Sequence, residues 1–497
     1  MIDAHDDAAP GRGPHADLAG QLLNALTRAR WFAGKGRRAE LTGHTTLGWL
    51  TEVDHWPAVR IEIVEVSYPP DEDPDPRGDV QTQPVEGQPA GAQDVPYELY
   101  QVPVSYWPAP VTELGHAELA RTVDADLGRV VAYDAAQDPA ACRLLLGLLL
   151  DARRFREPDS EVRFTPTDTE GVSAADEPQP FRGQQSNTSI MFGEVAMLKL
   201  FRRLELGRNL DIETHDALNK AGVRDVARLY GWIEGAWRHR GNDVRADFAM
   251  LVEKLVGAED GWGLALEALT GHRSFADDAA RLGRALAEIH AALRDSFPTA
   301  RGSGADTAAL MAERFARART IAPALDAYTD GVLAAFGALG AADLDVQRVH
   351  GDFHLGQTLR TPGGWKIIDF EGEPAKTLPE RLAPDSVWRD IAGMLRSFDY
   401  AGASVPGPAA RRWVTDCRTA FLDAYSGGEL DPGDAAVLRA YEVDKAVYEV
   451  VYEVRNRPDW VDIPLGAVAA LSGLAPDAGP DPIRLRRKDQ TLTGEKE

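Results

Sequence analysis

At 497 residues and 44% hydrophobic content, the chain is long enough for roughly two or three domains around a large core. Its formal net charge of −24 argues against nucleic acid as a partner, because phosphate backbones are bound through a surplus of Lys and Arg; the charge is read as a solubility feature. No apolar run approaches a membrane span, since the longest candidate, Leu144 to Leu150, is closed by Asp151, Arg153 and Arg154.

The N-terminus is acidic and lacks the basic start and apolar core of a signal peptide, so a cytoplasmic enzyme is expected. Arg60 to Tyr68 alternates as a half-buried strand does, and Tyr97 to Trp107 is rich in aromatic and β-branched residues, which predicts a small sheet. Between them, Pro70 to Val95 carries seven acidic residues, one Arg and five Pro, too little apolar surface to offset its ordering entropy. It reads as a disordered acidic insertion, 70–95. Helices are expected from about Thr122 to Phe155. Cys142 and Cys417 match no metal-ligand spacing, which argues against zinc and disulfides.

A second polar stretch, Glu157 to Pro180, wraps a short strand at Val162 to Pro166 and marks a junction between subdomains. Ile190 to Phe201 then reads as a hairpin turning at Gly193. The polar loop before it, Gly183 to Ser189, is suited to covering phosphates through backbone N–H groups and the side chains of Ser186, Asn187, Thr188 and Ser189, although an ordinary polar turn looks the same. Lys199 sits in the apolar strand MLKLF, where an unpaired ammonium would be costly, and Glu213 in the predicted helix Asp211 to Ala221 is placed to pair with it. Phe248 to Val256 reads as a strand leading into a connection, with backbone near Glu253 and Leu255 available to a nucleobase. Beyond Ala258 the chain becomes rich in Ala and Leu with helical spacing.

The densest chemistry lies in VHGDFHLGQTLRTPGGWKIIDFEG, Val349 to Gly372. Phosphoryl transfer needs a carboxylate beside the attacking hydroxyl, metal-holding groups and an aligning frame. Asp352, Gln357 and Asp369 stand in the order of the kinase catalytic Asp, the metal amide and the metal Asp, with Gln keeping the amide oxygen of the usual Asn. His350 is expected to brace this loop. His354 is expected to reach the substrate or support the loop, and the two do not form a zinc pair because no helix or HExxH pattern surrounds them. Acceptor candidates are Glu371 and Arg389 after the metal Asp, then Tyr448, Glu449, Tyr452 and Glu453 on the helix Leu438 to Arg455, and Asn456 and Trp460 at its tip. Asp390 can instead pin the catalytic loop. The stripe of Tyr441, Lys445, Tyr448 and Tyr452 along one helix face can equally be helix packing.

These runs, together with RWFAGKGR near residue 30, QSNTSIMFGEVAMLKLFRRLE and YEVVYEVRNRPDW, resemble bacterial maltokinases, relatives of the aminoglycoside phosphotransferases. The resemblance implies an α+β, bilobal eukaryotic-like kinase fold with an extra N-terminal α/β cap and a mainly helical C-lobe. The expected divisions are a cap at 1–156, a nucleotide-binding subdomain at 157–257, a helical lobe at 258–482 and a charged tail at 483–497. It further implies ATP and Mg2+ as cofactors, maltose as acceptor at its anomeric hydroxyl, maltose 1-phosphate as product for α-glucan synthesis, and trehalose synthase as a partner. A kinase of another sugar, of glucosamine or of an aminoglycoside stays open, the acidic helix being able to serve a cationic acceptor. So does a catalytically silent binding module. WFAGKGR imitates a phosphate loop, but its position before the nucleotide elements points to packing or regulation.

Overall fold

The computed structural model describes residues 18–69, 97–181, 187–373, 376–405 and 407–473. Ser186, the 70–95 insertion and the 483–497 tail lie outside them. The chain forms two compact units, one of residues 1–258 with 361–383, the other of residues 259–360 with 384–497.

The first unit holds two sheets. In the first, β1 (Glu40–Thr46), β2 (Ala58–Ser67), β3 (Tyr97–Trp107), β4 (Glu118–Asp124) and β5 (Gly128–Asp134) run in the order β1-β2-β3-β5-β4. Helix α1 (Leu18–Arg28) buries Leu22 and Leu26 in a cluster with Phe32, Val64, Tyr100 and Tyr106. The helices expected from Thr122 to Phe155 give way at first to strands: β4 and β5 are antiparallel, and Gly128 closes their turn at φ 72°, a left-handed conformation that glycine adopts without strain. Helix α2 (Pro139–Leu150) follows, capped by Asp138 and with proline in its first turn, where no N–H partner is needed. After it come β6 (Arg154–Glu157) and β7 (Ser160–Pro166). Strand β2 is not half-buried, because every residue from Ala58 to Ser67 is buried.

The second sheet adds β8 (Pro178–Pro180), β9 (Thr188–Phe192), β10 (Ala196–Leu200), β12 (Leu229–His239) and β13 (Asn242–Glu253), in the order β6-β7-β12-β13-β10-β9-β8. A short β11 (Arg203–Leu204) pairs instead with β3. The hairpin β9–β10 turns through Gly193 at φ 54°, and β10 pairs β13 with Lys199 opposite Met250. One apolar core joins the two sheets, with Leu47, Ile61, Ile63 and Leu99 in the same cluster as Leu145, Phe164, Phe192, Leu198, Trp237 and Phe248. WFAGKGR lies against this unit. The Trp31 ring stands 4.8 Å from the Arg202 guanidinium, Phe32 is 5.3 Å from Tyr100, and Arg37 stacks 3.5 Å over Tyr68.

The second unit is helical. Its long members are Ala276–Ser296, Gly304–Ile321, Trp388–Ser404, Pro408–Ser426 and Pro432–Asn456. The Trp388–Ser404 helix is buried along most of its length and carries the loop around Phe353 on one side: a Cβ at Gly393 would lie 2.4 Å from the Phe353 carbonyl oxygen, so glycine there admits the loop backbone.

Candidate active site

Each unit contributes its own constellation. In the first, Lys199 on β10 projects its ammonium to 2.7 Å from Glu371 Oε1, 3.0 Å from Asp211 Oδ2 and 3.8 Å from Asp369 Oδ1. Burial would lower the Lys199 pKa, but Glu371, Asp211 and Asp369 outweigh it and hold it well above its ordinary value, so the charge is kept. The carboxylate on the helix is thus Asp211 rather than the expected Glu213. Helix α3 (Leu210–Lys220) starts one residue after its Asn209 cap, which sets Asp211 in the first turn. Asp211 also accepts hydrogen bonds from the Phe370 N–H at 3.1 Å and from His215 Nδ1 at 3.0 Å. Although burial works against it, Lys199 and His215 hold its carboxyl far below the usual range. Glu371, read from sequence as an acceptor residue, is engaged here with Lys199.

Asp369 adopts a left-handed backbone with φ 68°, uncommon outside glycine and most tolerated by Asn and Asp. Oxygens of Asp211, Asp369 and Glu371 lie within 4.8 Å of one another. An all-carboxylate set of this size fits a hard cation such as Mg2+. Thr188 Oγ1 accepts from Arg202 Nε at 2.8 Å, and Arg202 in turn grips Asp134 at 2.7 Å. Ser189 is buried beside Lys199 in the β9–β10 register, with Asn187 just before this strand. Glu253 ends β13, receives the Arg228 N–H at 3.2 Å and lies 3.8 Å from Lys366; Leu255 packs with Met197 against Phe201, Ile212 and Met250.

In the second unit the loop that carries His350 and Asp352 is pinned by Asp390. Asp390 accepts from the N–H groups of His350 at 2.7 Å and Gly351 at 2.8 Å, and from His290 Nε2 at 2.9 Å. Burial would raise the Asp390 carboxyl, but His290, His350 and the Gly351 N–H hold it below the ordinary range. His350 is buried, and its Nδ1 faces the Asp352 N–H at 3.4 Å. His354 accepts from the Gly356 N–H at 3.0 Å, capping the short turn Leu355–Gln357, and its Nε2 stands 3.9 Å from Asp352. Lys445 reaches to 3.5 Å of Asp352 Oδ1 from the Pro432–Asn456 helix. Arg389 is committed to the Gly351 carbonyl at 3.2 Å and to Asp385 at 3.3 Å, so it frames the loop.

The acidic face of the Pro432–Asn456 helix is matched by arginines. Glu449 binds Arg396 at 2.8 Å, Glu453 binds Arg457 at 2.6 Å, and Glu442 binds Arg418 at 2.7 Å. Glu449, expected at the acceptor, and Glu442 tie this helix to its neighbours, while Glu453, also expected there, pairs with Arg457 at the end of its own helix. The tyrosine stripe divides: Tyr441 is buried and donates to Asp385 at 3.2 Å, whereas Tyr448, Tyr452 and Trp460 are exposed. Asn456 donates to the Tyr452 carbonyl at 2.9 Å. Sequence reasoning missed Asp211 and Lys445. The helix cap at Asn209 and the Asp211–His215 spacing of four were the available signals for the first. For the second, Lys445 was visible only as a member of the tyrosine stripe.

A family model described as the phosphotransferase enzyme family matches residues 179–429, and another, the maltokinase N-terminal cap domain, matches residues 26–138. A glucosamine kinase of Streptacidiphilus jiangxiensis is 31% identical over 316 residues, covering 56% of this chain and 70% of that protein. One of Mycolicibacterium smegmatis is 29% identical over 320 residues, covering 59% and 79%. Among solved structures, a glucosamine kinase in complex with glucosamine, ADP and inorganic phosphate has a TM-score of 0.62 at 21% identity, over 91% of this chain and 99% of that one. A glucosamine kinase in crystal form B has a TM-score of 0.61 at 22% identity, over 88% and 95%. These likenesses establish an α+β kinase-like fold with an N-terminal cap and a helical C-terminal region. No helix among the described residues is long and apolar enough to cross a membrane. With the matched phosphotransferase region spanning half of its length, the chain belongs to the phosphotransferase enzyme family and carries a maltokinase-type N-terminal cap.

Proposed function

We propose that the protein is an ATP-dependent sugar kinase that phosphorylates maltose on its anomeric hydroxyl, giving maltose 1-phosphate for α-glucan synthesis. The observation that carries this reading is the maltokinase-type cap at residues 26–138, joined to a region that matches the phosphotransferase family at 179–429. Asp352 orients the sugar hydroxyl and takes its proton as the hydroxyl attacks the γ-phosphorus. Lys199, held by Asp211 and Glu371, meets the nucleotide phosphates, with backbone and hydroxyl donors at Asn187, Thr188 and Ser189 beside them. The backbone near Glu253 and Leu255 receives the adenine. Asp369, with Gln357 as the amide ligand, is assigned to Mg2+, which when bound neutralises charge on the transferring phosphoryl group. The exposed Tyr448, Tyr452 and Trp460 offer apolar faces to sugar rings, with His354 and Asn456 as polar neighbours.

The names of the relatives favour a second reading, in which the acceptor is glucosamine. Phosphate transfer from labelled ATP to maltose, glucose, glucosamine and kanamycin decides between them. Maltose is expected to be the best acceptor by kcat/KM. A protein that transfers to glucosamine or kanamycin as well as to maltose overturns the maltose reading, and one that transfers to none overturns the kinase reading.

A further inference from the structure

Lys445 places a positive charge where a kinase of aminated substrates would want a negative one. Its ammonium lies 3.5 Å from Asp352 Oδ1 and 5.1 Å from the centre of the Tyr448 ring, and its side chain remains 25% exposed. Glu449 acts on it through space, and the acids on the surrounding helices are shared with arginines. Glu449 is taken by Arg396 at 2.8 Å, Glu442 by Arg418 at 2.7 Å, Asp444 by Arg314 at 2.7 Å and Glu453 by Arg457 at 2.6 Å. Asp399 stands between Arg396 at 2.7 Å and Arg418 at 3.3 Å. His354, 3.9 Å from Asp352 on the loop itself, supplies no anion. Asp260 also acts on His354, but Asp352 is the carboxylate assigned to the reacting hydroxyl, and Lys445 already shares it.

We propose that Lys445 is a specificity-determining residue: its ammonium, fixed beside Asp352, disfavours acceptors that carry a positive charge next to the reacting hydroxyl and so selects neutral sugars. The proposal rests on Asp352 being the acceptor-side base and sharpens the choice between a neutral and an aminated sugar. Two like charges several ångströms apart in a partly screened cleft change relative affinity by on the order of tenfold or more. Lys445 also polarises Asp352, so its loss lowers turnover of every acceptor; the discriminating quantity is a ratio.

Glucose and glucosamine form a matched pair that differs by a hydroxyl against an ammonium at one carbon. The kcat/KM ratio of glucose to glucosamine is measured for the wild type, Lys445→Arg and Lys445→Met, with maltose in parallel. Lys445→Met is expected to lower the ratio by on the order of tenfold, and Lys445→Arg to hold it near the wild-type value. Equal ratios in all three, or the same shift in both variants, overturn the proposal. Poor transfer to maltose by the wild type, with the ratio still shifting only in Lys445→Met, removes the maltose reading and leaves Lys445 standing. Should Lys445→Met fail to fold, Lys445→Gln takes its place in the same ratio. In the wild type, raising the pH through the titration of the glucosamine amine must increase glucosamine kcat/KM relative to glucose, and an unchanged or falling glucosamine-to-glucose ratio overturns the proposal.

Discussion

Asp211 and Glu213 are two positions apart, which on an α-helix is about 200° of rotation, so the two project to opposite sides. The geometry gives the Lys199 interaction to Asp211, and the substitutions separate the two acids cleanly. Asp211→Ala is expected to raise the KM for ATP and to cut kcat/KM by on the order of a hundredfold, because it strips Lys199 of a buried partner. Glu213→Ala is expected to change kcat/KM by less than about threefold; equal losses in steady-state kinetics would return the role to Glu213. Asp352→Asn should reduce kcat by about two to four orders of magnitude with an unchanged far-UV circular dichroism spectrum, since an amide cannot accept the hydroxyl proton. A fully active variant removes Asp352 from the reaction. The grouping proposed for Asp352, Gln357 and Asp369 was readable because the three come from one short stretch of chain. The Lys199 partner was not, because sequence spacing does not say which turn of a helix faces the strand.

Single strands and helices carry the next level of constraint, and the reading of β2 shows where alternation misleads. A half-buried strand would leave one face in solvent, yet Arg60, Glu62 and Glu65 are all buried and paired. Glu62 accepts from Arg60 Nε at 2.6 Å, Tyr106 at 2.7 Å, Thr46 at 2.8 Å and His44 at 2.9 Å. Burial alone pushes its carboxyl up, but His44, Arg60 and Tyr106 overturn this and hold it at about 2, against 4.5 in an unfolded chain. A depressed pKa gives stability that is fully present above 4.5 and is lost as the pH falls towards 2; the shift corresponds to roughly 3 kcal/mol. In chemical denaturation across that window, the gap between the wild type and Glu62→Gln should therefore close as the pH falls. A gap that stays constant contradicts the assignment. Glycines give a second test of element packing. Gly393→Ala sets a Cβ 2.4 Å from the Phe353 carbonyl and should destabilise by roughly 1–3 kcal/mol while lowering kcat through the displaced loop. Gly147→Ala, on α2 with nothing within 4 Å, should instead be neutral or stabilising by up to about 1 kcal/mol in thermal melts.

Across the first unit as a whole, the two sheets are bound by a common interior. Leu47, Val59, Ile61 and Ile63 from one end of the chain share a cluster with Val162, Phe164, Ile190, Leu198 and Phe248 from the kinase-like sheet. Polar contacts add to this: Gln101 on β3 donates to the Phe201 carbonyl at 2.8 Å, Glu65 binds Arg240 at 2.7 Å, and Arg202 joins Asp134, Thr188 and the Trp31 ring. WFAGKGR, which in sequence imitated a phosphate loop, thus has a packing explanation. That explanation was hidden from the sequence because Arg202 and Tyr100, its partners, are remote along the chain. The same remoteness concealed the β4–β5 hairpin less than it concealed the shared core, since a turn glycine is local evidence and a core is not. A cap that shares its core is not an independently removable module. Deleting residues 18–138 would expose Leu145, Phe164, Phe192 and Leu198, each buried in the intact protein, and should give an aggregating chain without ATP-dependent activity. The intact first unit, correspondingly, should lose the fluorescence of Trp31 in its cap and Trp237 in its second sheet in one denaturant transition. Two separated midpoints in single-tryptophan variants would show that the cap unfolds by itself and would sink this expectation.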